Sequence, residues 1–110
     1  MRDVNAEIDT LVKSNPVVLF MKGTPSFPMC GFSARTAEIL KACGMQVSQI
    51  KSVNVLEDPD IREGVKQYGN WPTIPQLYVN GQLVGGCDIA MDMYQSGELK
   101  PLIESALKAS

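Results

Sequence analysis

The sequence predicts an α/β fold in which helices flank a central, mixed, four-stranded sheet. Helical and strand patterns follow one another in the order α-β-α-β-α-β-β-α-α. The alternating first part places its strands in crossover units, and Asn80-Gly81 joins the last two strands as a hairpin. The 110 residues have the usual length of a single domain, so residues 1–110 are predicted to form one domain.

The amino-terminal half predicts a helix, a strand, a loop, a second helix and a second strand. Apolar residues at helical spacing indicate the first helix, which ends at Asn15-Pro16 because the residue before a proline disfavours helical backbone. The short apolar run Val17–Met21 is typical of a buried strand, and glycine and prolines make residues 22–29 a loop. The second helix begins at Gly31 and is stopped by Gly44, and residues 50–55 form the second strand.

The carboxyl-terminal half predicts a third helix, a hairpin and two final helices. Asp58 caps the third helix and Pro59 occupies its first position. The segment Gly69-Asn70-Trp71-Pro72 ends that helix. The hairpin strands and the two last helices span residues 76–79, 82–85, 88–95 and 98–107.

The composition excludes several classes of function. The absence of histidine excludes Ser-His-Asp and Cys-His catalysis and His-ligated zinc. Ten basic against twelve acidic residues give a net charge of −2, so no positive surplus is available to bind nucleic acid. The longest apolar run is far too short to span a membrane, which predicts no membrane partner. Three cysteines are not a secreted disulfide framework and favour a reducing compartment.

Cys30 is the strongest candidate for chemistry. It follows a proline-rich loop and precedes a helix, where the helix amides and dipole favour a thiolate, and Lys22 would add a positive charge. Ser33 stands where a C-x-x-C motif has its second thiol, so Cys30 can form a mixed disulfide or ligate a metal but cannot complete an internal dithiol cycle. The alternative is a buried structural cysteine.

Four motifs follow one another along nearly the whole chain: Lys22-Gly23-Thr24-Pro25, Met29-Cys30-Gly31-Phe32-Ser33, Trp71-Pro72-Thr73-Ile74-Pro75-Gln76 and Gly85-Gly86-Cys87-Asp88. Together they resemble the motifs of the monothiol glutaredoxins of the C-G-F-S class. The resemblance implies a thioredoxin-like fold, binding of glutathione, and a 2Fe–2S cluster bridged between two subunits.

The resemblance also implies roles for individual residues. Ile74 matches the position before the family's cis-proline and would pair with the backbone of glutathione, as an added strand does. Cys87 and Asp88 match the helix start that holds the γ-glutamyl end. Lys22 and Arg62 match the basic residues that hold the glycyl carboxylate. The alternatives are an ordinary turn proline, a helix cap at Asp88, and solvated surface charges.

Four further residues receive weaker predictions. Lys66 lies one helical turn after Arg62 and is a weaker candidate for the glycyl carboxylate. Trp71 is expected to pack rather than to contact the ligand, and Phe32 either shields the cysteine loop or packs in the core. Cys43 is expected to be a small buried hydrophobe.

The number of possible ligands implies a cluster shared between two chains. A 2Fe–2S centre takes four thiolates or substitutes, and this chain has three cysteines and no histidine. Cys30 from each of two chains and two glutathione thiolates complete the set. The expectation is therefore an apo monomer, a cluster-loaded homodimer, and apo iron–sulfur acceptor proteins as partners. A conjugate of glutathione would meet the same residues.

The sequence is consistent with three functions. The first is an iron–sulfur carrier in the mitochondrial matrix, if a presequence has been removed, or in the cytoplasm. The second is a glutathione-dependent thiol–disulfide oxidoreductase acting through Cys30, which needs one thiol and external glutathione. The third is a binding module with an unreactive cysteine.

Overall fold

The computed structural model describes residues 2–109, which form a four-stranded sheet between two layers of helices. The elements follow the predicted order. The helices are α1 (Val4–Ser14), α2 (Gly31–Ala42), α3 (Pro59–Tyr68), α4 (Cys87–Ser96) and α5 (Leu99–Ala109), and the strands are β1 (Val17–Met21), β2 (Lys51–Asn54), β3 (Gln76–Val79) and β4 (Gln82–Gly85). In this part of the chain, no helix is long and apolar enough to cross a membrane.

The sheet is mixed, as predicted, with the strand order β2-β1-β3-β4. β1 pairs in parallel with β2 and antiparallel with β3. β3 and β4 form the predicted hairpin, and both turn residues, Asn80 and Gly81, have positive φ, as the favoured two-residue hairpin turn requires. β1 therefore lies inside the sheet, with its carboxyl end leading directly into the motif that begins at Lys22.

Every side chain of β1 is buried, because the strand contributes to a core on each face of the sheet. Successive side chains of a strand point to opposite faces. Val17, Leu19 and Met21 pack in the cluster that includes residues of α2, α4 and α5. Val18 and Phe20 pack in the cluster that includes residues of α1 and α3. One five-residue strand thus joins both helical layers.

The structure departs from the sequence prediction mainly between α2 and β2. A short 3-10 helix, Val47–Gln49, precedes β2, and the predicted strand over 50–55 is only Lys51–Asn54. The apolar residues at both predicted ends are buried without belonging to the strand: Ile50 caps the 3-10 helix, and Val55 lies in the turn after β2. α4 and α5 also begin one residue away from their predicted starts, at Cys87 and Leu99.

Candidate functional site

A cleft of about 480 Å³ lies where β1, α2, α3, the segment before β3 and α4 meet. Its volume falls within the range of small-molecule sites. It contains all five residues that the sequence predicts as cofactor-binding. The lining consists of Lys22, Phe32, Arg62, Lys66, Trp71, Pro72, Thr73, Ile74, Pro75, Gly86, Cys87, Asp88 and Ile89. Cys30 is not part of the lining, but Lys22, whose charge acts on the Cys30 thiol, and Phe32, two residues after Cys30, both line the cleft.

Cys30 occupies the N-cap of α2 with an extended backbone and a partly exposed side chain. The pKa of Cys30 is lowered, chiefly through the backbone amide of Ser33, which favours the thiolate. The Phe32 amide, the Ser33 hydroxyl and the positive charge of Lys22 lower this pKa further, while partial burial opposes them. Cys30 therefore lies at the start of a helix, as predicted, where the thiolate is favoured.

Ser33 is completely buried in the first turn of α2. Its Oγ accepts a hydrogen bond of 3.1 Å from the backbone amide of Lys22. This bond ties the end of β1 to the start of α2. The residue at the position of a second thiol therefore holds Lys22 and Cys30 near each other instead of resolving a disulfide.

The loop between β1 and Cys30 folds back on itself at Gly23. The Met29 amide donates to the Lys22 carbonyl at 2.9 Å, and Gly23 forms a β-bridge with Pro28. Gly23 has a φ of +88°, and a Cβ there would lie 2.5 Å from the Phe27 carbonyl oxygen and 2.7 Å from the Met29 nitrogen. Only glycine fits this position, and the turn it permits returns the chain to Cys30.

Asn54 is a site-building residue that the sequence analysis missed. Its Oδ1 accepts hydrogen bonds from the amide of Gly23 at 2.9 Å and from the amide of Leu56 at 3.1 Å. It thereby joins the end of β2 to the cysteine loop. The available signal was an asparagine at the end of a predicted strand that runs parallel to β1, a position where polar side chains meet the neighbouring loop.

The segment before β3 contains a cis peptide bond between Ile74 and Pro75, as the resemblance implies. Ile74 is half-buried and lines the cleft. Trp71 also lines the cleft, so packing alone does not describe it. Its Nε1 is buried and has no hydrogen-bond partner among residues 2–109.

α4 begins at the cleft with Cys87 and Asp88 as its first two residues. The N-cap is Gly86, and no side chain caps the helix. The alternative that Asp88 is the helix cap is therefore wrong: it lies two positions after the N-cap Gly86, and its exposed carboxylate stays available to a ligand. The first amides of an uncapped helix and the positive end of its dipole favour a carboxylate.

Three cations line the cleft, and they differ in their partners. Lys66 lies 3.1 Å from the carboxylate of Glu63, which fits its weaker candidacy. In the described part of the chain, no carboxylate lies within ion-pair distance of Lys22 or Arg62. The Nε of Arg62 is buried there without a hydrogen-bond partner. Two positive charges therefore remain for an anionic ligand.

The remaining predictions concern Phe32 and Cys43. Phe32 is 59% exposed and lines the cleft, so the alternative that it packs in the core is wrong. Cys43 is the buried C-cap residue of α2, as predicted, and burial raises the pKa of its thiol. All three cysteines are free thiols.

The sequence and the fold match known proteins along most of the chain. The glutaredoxin family model matches residues 17–84, and "Monothiol glutaredoxin-5, mitochondrial" of Lachancea kluyveri is 57% identical over 99 residues, which cover 90% of this chain and 69% of the relative. The chain belongs to the monothiol glutaredoxins. Glutaredoxin 4 of Escherichia coli is 50% identical to this glutaredoxin over 103 residues, covering 93% of this chain and 87% of the relative.

The same assignment holds for the three-dimensional structure. The solution structure of reduced poplar apo GrxS14 matches this glutaredoxin with a TM-score of 0.79 and 47% sequence identity, covering 94% of this chain and 93% of the poplar chain. The predicted thioredoxin-like fold is therefore confirmed.

The lowered pKa of Cys30 predicts selective alkylation of this glutaredoxin. A lower pKa gives more thiolate at neutral pH, so iodoacetamide should modify Cys30 with a midpoint below that of an ordinary thiol. Cys43, which is buried with a raised pKa, should not react in the folded protein. Mass spectrometry of alkylation across a pH series checks this, with the urea-unfolded protein as reference. A Cys30 midpoint equal to that of the unfolded chain would contradict the expectation.

Proposed function

We propose that this glutaredoxin binds glutathione in the cleft and, through Cys30, carries a 2Fe–2S cluster that it delivers to apo iron–sulfur proteins. The observation that carries the proposal is the charge pattern of the cleft. Lys22 and Arg62 line it without carboxylate partners, and Asp88 lines it at the uncapped start of α4.

Glutathione has charges that complement this pattern. It carries two carboxylates and one ammonium group. The glycyl carboxylate suits the cations Lys22 and Arg62, with Lys66 as a further contact. The γ-glutamyl carboxylate suits the first amides of α4, and its ammonium suits Asp88. The backbone of Ile74 would pair with the central residue of glutathione in the manner of an added strand, beside Cys87.

The cysteines of this chain support a cluster shared by two subunits. Cys30 is partly exposed and favours the thiolate, the form that ligates iron, whereas Cys43 and Cys87 are buried. Within residues 2–109, no group of three or more His, Cys, Asp or Glu side chains could hold a metal ion. One thiolate from each of two chains and one from each of two glutathiones supply the four ligands, and the ligands from outside the protein make the cluster transferable.

The thiol chemistry supports a reducing compartment. Free cysteines and glutathione require a reducing environment. The Lachancea kluyveri relative is named a mitochondrial protein, while a bacterial relative is 50% identical. These relatives support a mitochondrial matrix or cytoplasmic location, with apo iron–sulfur proteins of that compartment as acceptors.

Anaerobic reconstitution with iron, sulfide and glutathione tests the proposal. Visible absorption should report a 2Fe–2S centre, and sizing chromatography with light scattering should find a dimer when the cluster is loaded and a monomer when it is absent. Omitting glutathione should prevent loading. A cluster-loaded monomer would exclude the shared ligand set.

A glutathione-dependent oxidoreductase activity is the second candidate, favoured by the lowered pKa of Cys30. Ser33 has no thiol and its hydroxyl is buried, so a glutathione mixed disulfide on Cys30 must await a thiol from outside. Transfer of the cluster to an apo acceptor should therefore be efficient and reduction of glutathionylated substrates slow. Both rates are measured on one preparation beside a dithiol glutaredoxin, and turnover equal to that relative would favour the oxidoreductase.

Removing either unpaired cation should weaken glutathione binding. Lys22→Gln and Arg62→Gln should each cost about 1–3 kcal/mol of binding free energy, the scale of a charge-assisted hydrogen bond. The cost should shrink at high salt if the contact is exposed to solvent. Calorimetric titration measures it, with Lys100→Gln as the control because Lys100 does not line the cleft. Unchanged affinity in both cleft variants would make these residues ordinary surface charges.

A further inference from the structure

A buried polar pair connects strand β3 to the wall of the cleft. Gln76 is completely buried and Tyr78 nearly so, and both face the layer of α1 and α3 because they are two residues apart on one strand. The Tyr78 hydroxyl donates to Gln76 Oε1 at 2.9 Å. Gln76 Nε2 donates to the carbonyl oxygens of Trp71 at 3.0 Å and Thr73 at 3.4 Å. The side-chain amide nitrogen of Gln76 therefore donates only to the segment that forms the cleft wall.

Core packing alone does not explain a glutamine at this position. A buried side-chain amide costs free energy unless its donors and its acceptor are satisfied, and a methionine of similar length would fill the same space without that requirement. Here the Tyr78 hydroxyl satisfies the acceptor and fixes which end of the amide faces the loop. The two donors are left to hold the carbonyls of Trp71 and Thr73.

The direction of one peptide group links this pair to the ligand. The Thr73–Ile74 peptide is trans and planar, so its C=O and its N–H point in opposite directions. Gln76 draws the Thr73 carbonyl inward, and the Ile74 N–H therefore points away from Gln76, while Ile74 itself lines the cleft. Pro72 and Pro75 have no N–H, so the amides of Thr73 and Ile74 are the backbone donors of residues 72–75.

We propose that Gln76, oriented by Tyr78, is a positioning residue that aims the Ile74 amide at the peptide backbone of bound glutathione. The inference rests on the proposed binding of glutathione in this cleft. The space around the pair supports a single arrangement. A Cβ at Gly69, which caps the end of α3, would overlap the Tyr78 hydroxyl and lie 2.9 Å from Gln76 Oε1. The backbone of Gly69 thus closes over the pair.

Calorimetric titration with reduced glutathione tests the inference on the full chain. Gln76→Met should bind glutathione roughly 10-fold more weakly, the effect of one misplaced hydrogen bond. Tyr78→Phe, which removes only the orienting hydroxyl, should lose a smaller factor. Tyr68→Phe is the matched control, because it removes a hydrogen bond of 2.6 Å to Asp9 in the same layer without contacting the cleft, and its affinity should equal that of the wild type.

A pH series on Gln76→Glu separates positioning from general stability. A protonated glutamic acid can donate to one of the two carbonyls, and its carboxylate can donate to neither. Burial raises the pKa of such a carboxyl, so this variant should regain affinity between about pH 8 and pH 6. The wild type should show no such gain. The neighbouring groups Tyr78 and Tyr68 have pKa values raised to about 12 and do not titrate in this range.

The outcomes distinguish this inference from the proposed function. A wild-type chain that does not bind glutathione would overturn both. Wild-type binding with equal affinity in Gln76→Met and Tyr78→Phe would overturn the role of Gln76 alone, as would an equal loss in Tyr68→Phe. If Gln76→Met does not fold, Tyr78→Phe and the pH series on Gln76→Glu decide the question, since chemical denaturation of each variant shows which are folded.

Discussion

Replacing Cys30 with serine is expected to abolish cluster loading. Cys30 is the partly exposed cysteine of the chain and favours the thiolate at the start of α2, whereas the other two are buried. A serine hydroxyl at this position remains protonated near neutral pH and cannot replace a thiolate ligand. Anaerobic reconstitution followed by visible absorption and iron and sulfide analysis measures the loss.

Cys43→Ser is the matched control for this substitution. Cys43 is buried at the end of α2 and packs in the cluster that includes residues of α4 and α5. Its replacement should leave cluster loading intact and lower the free energy of unfolding by about 1–3 kcal/mol, the cost of a buried hydroxyl without a partner. Equal loss of the cluster in both variants would show that the ligand assignment is wrong.

The substitution Gly23→Ala is expected to be among the most damaging single-methyl changes in the chain. The positive φ alone costs about 1–3 kcal/mol with a side chain present. The new Cβ would also press against the Phe27 carbonyl and the Met29 amide, which must move and displace the loop that ends at Cys30. Chemical denaturation should show the loss of stability, and slower alkylation of Cys30 should show the displacement.

Gly44→Ala is the control that separates backbone strain from the steric part of that effect. Gly44 has a φ of +92°, close to that of Gly23, but a Cβ there would meet no atom within 4 Å. Its cost is therefore backbone strain alone, and Cys30 should keep its wild-type reactivity. If Gly23→Ala and Gly44→Ala are destabilised equally, the close packing of the cysteine loop has no energetic role.

Local patterns sufficed to predict most of the fold. Three local patterns each determine one element through contacts within a few residues: the apolar run of β1, the Asn80-Gly81 turn and the Asp58-Pro59 helix start. The hydrogen bond from the Ile61 amide to the Asp58 side chain confirms the predicted cap of α3. The 3-10 helix at Val47–Gln49 was missed because Ile50, which caps it, is a buried β-branched residue. In the sequence, such a residue is indistinguishable from the first residue of a buried strand.

The sequence predicted which residues line the cleft but not the hydrogen bonds that join the segments around it. The resemblance identified Lys22, Arg62, Ile74, Cys87 and Asp88, and all of them line the cleft. The bonds of Asn54 to Gly23 and of Gln76 to Trp71 join segments whose approach depends on the sheet pairing and the cis peptide. Sequence spacing carries no information on such approaches, which explains why Phe32 was left undecided between core and cleft.

The cleft draws its walls from segments between residues 22 and 89 that lie on different strands and helices, so it exists only in the folded chain. A ligand bound there shifts the folding equilibrium by mass action. Each tenfold rise in free ligand above its dissociation constant adds about 1.4 kcal/mol to the free energy of unfolding. The free energy of unfolding therefore depends on the free concentration of the cleft's ligand, and depletion of that ligand would destabilise the protein before any residue is modified.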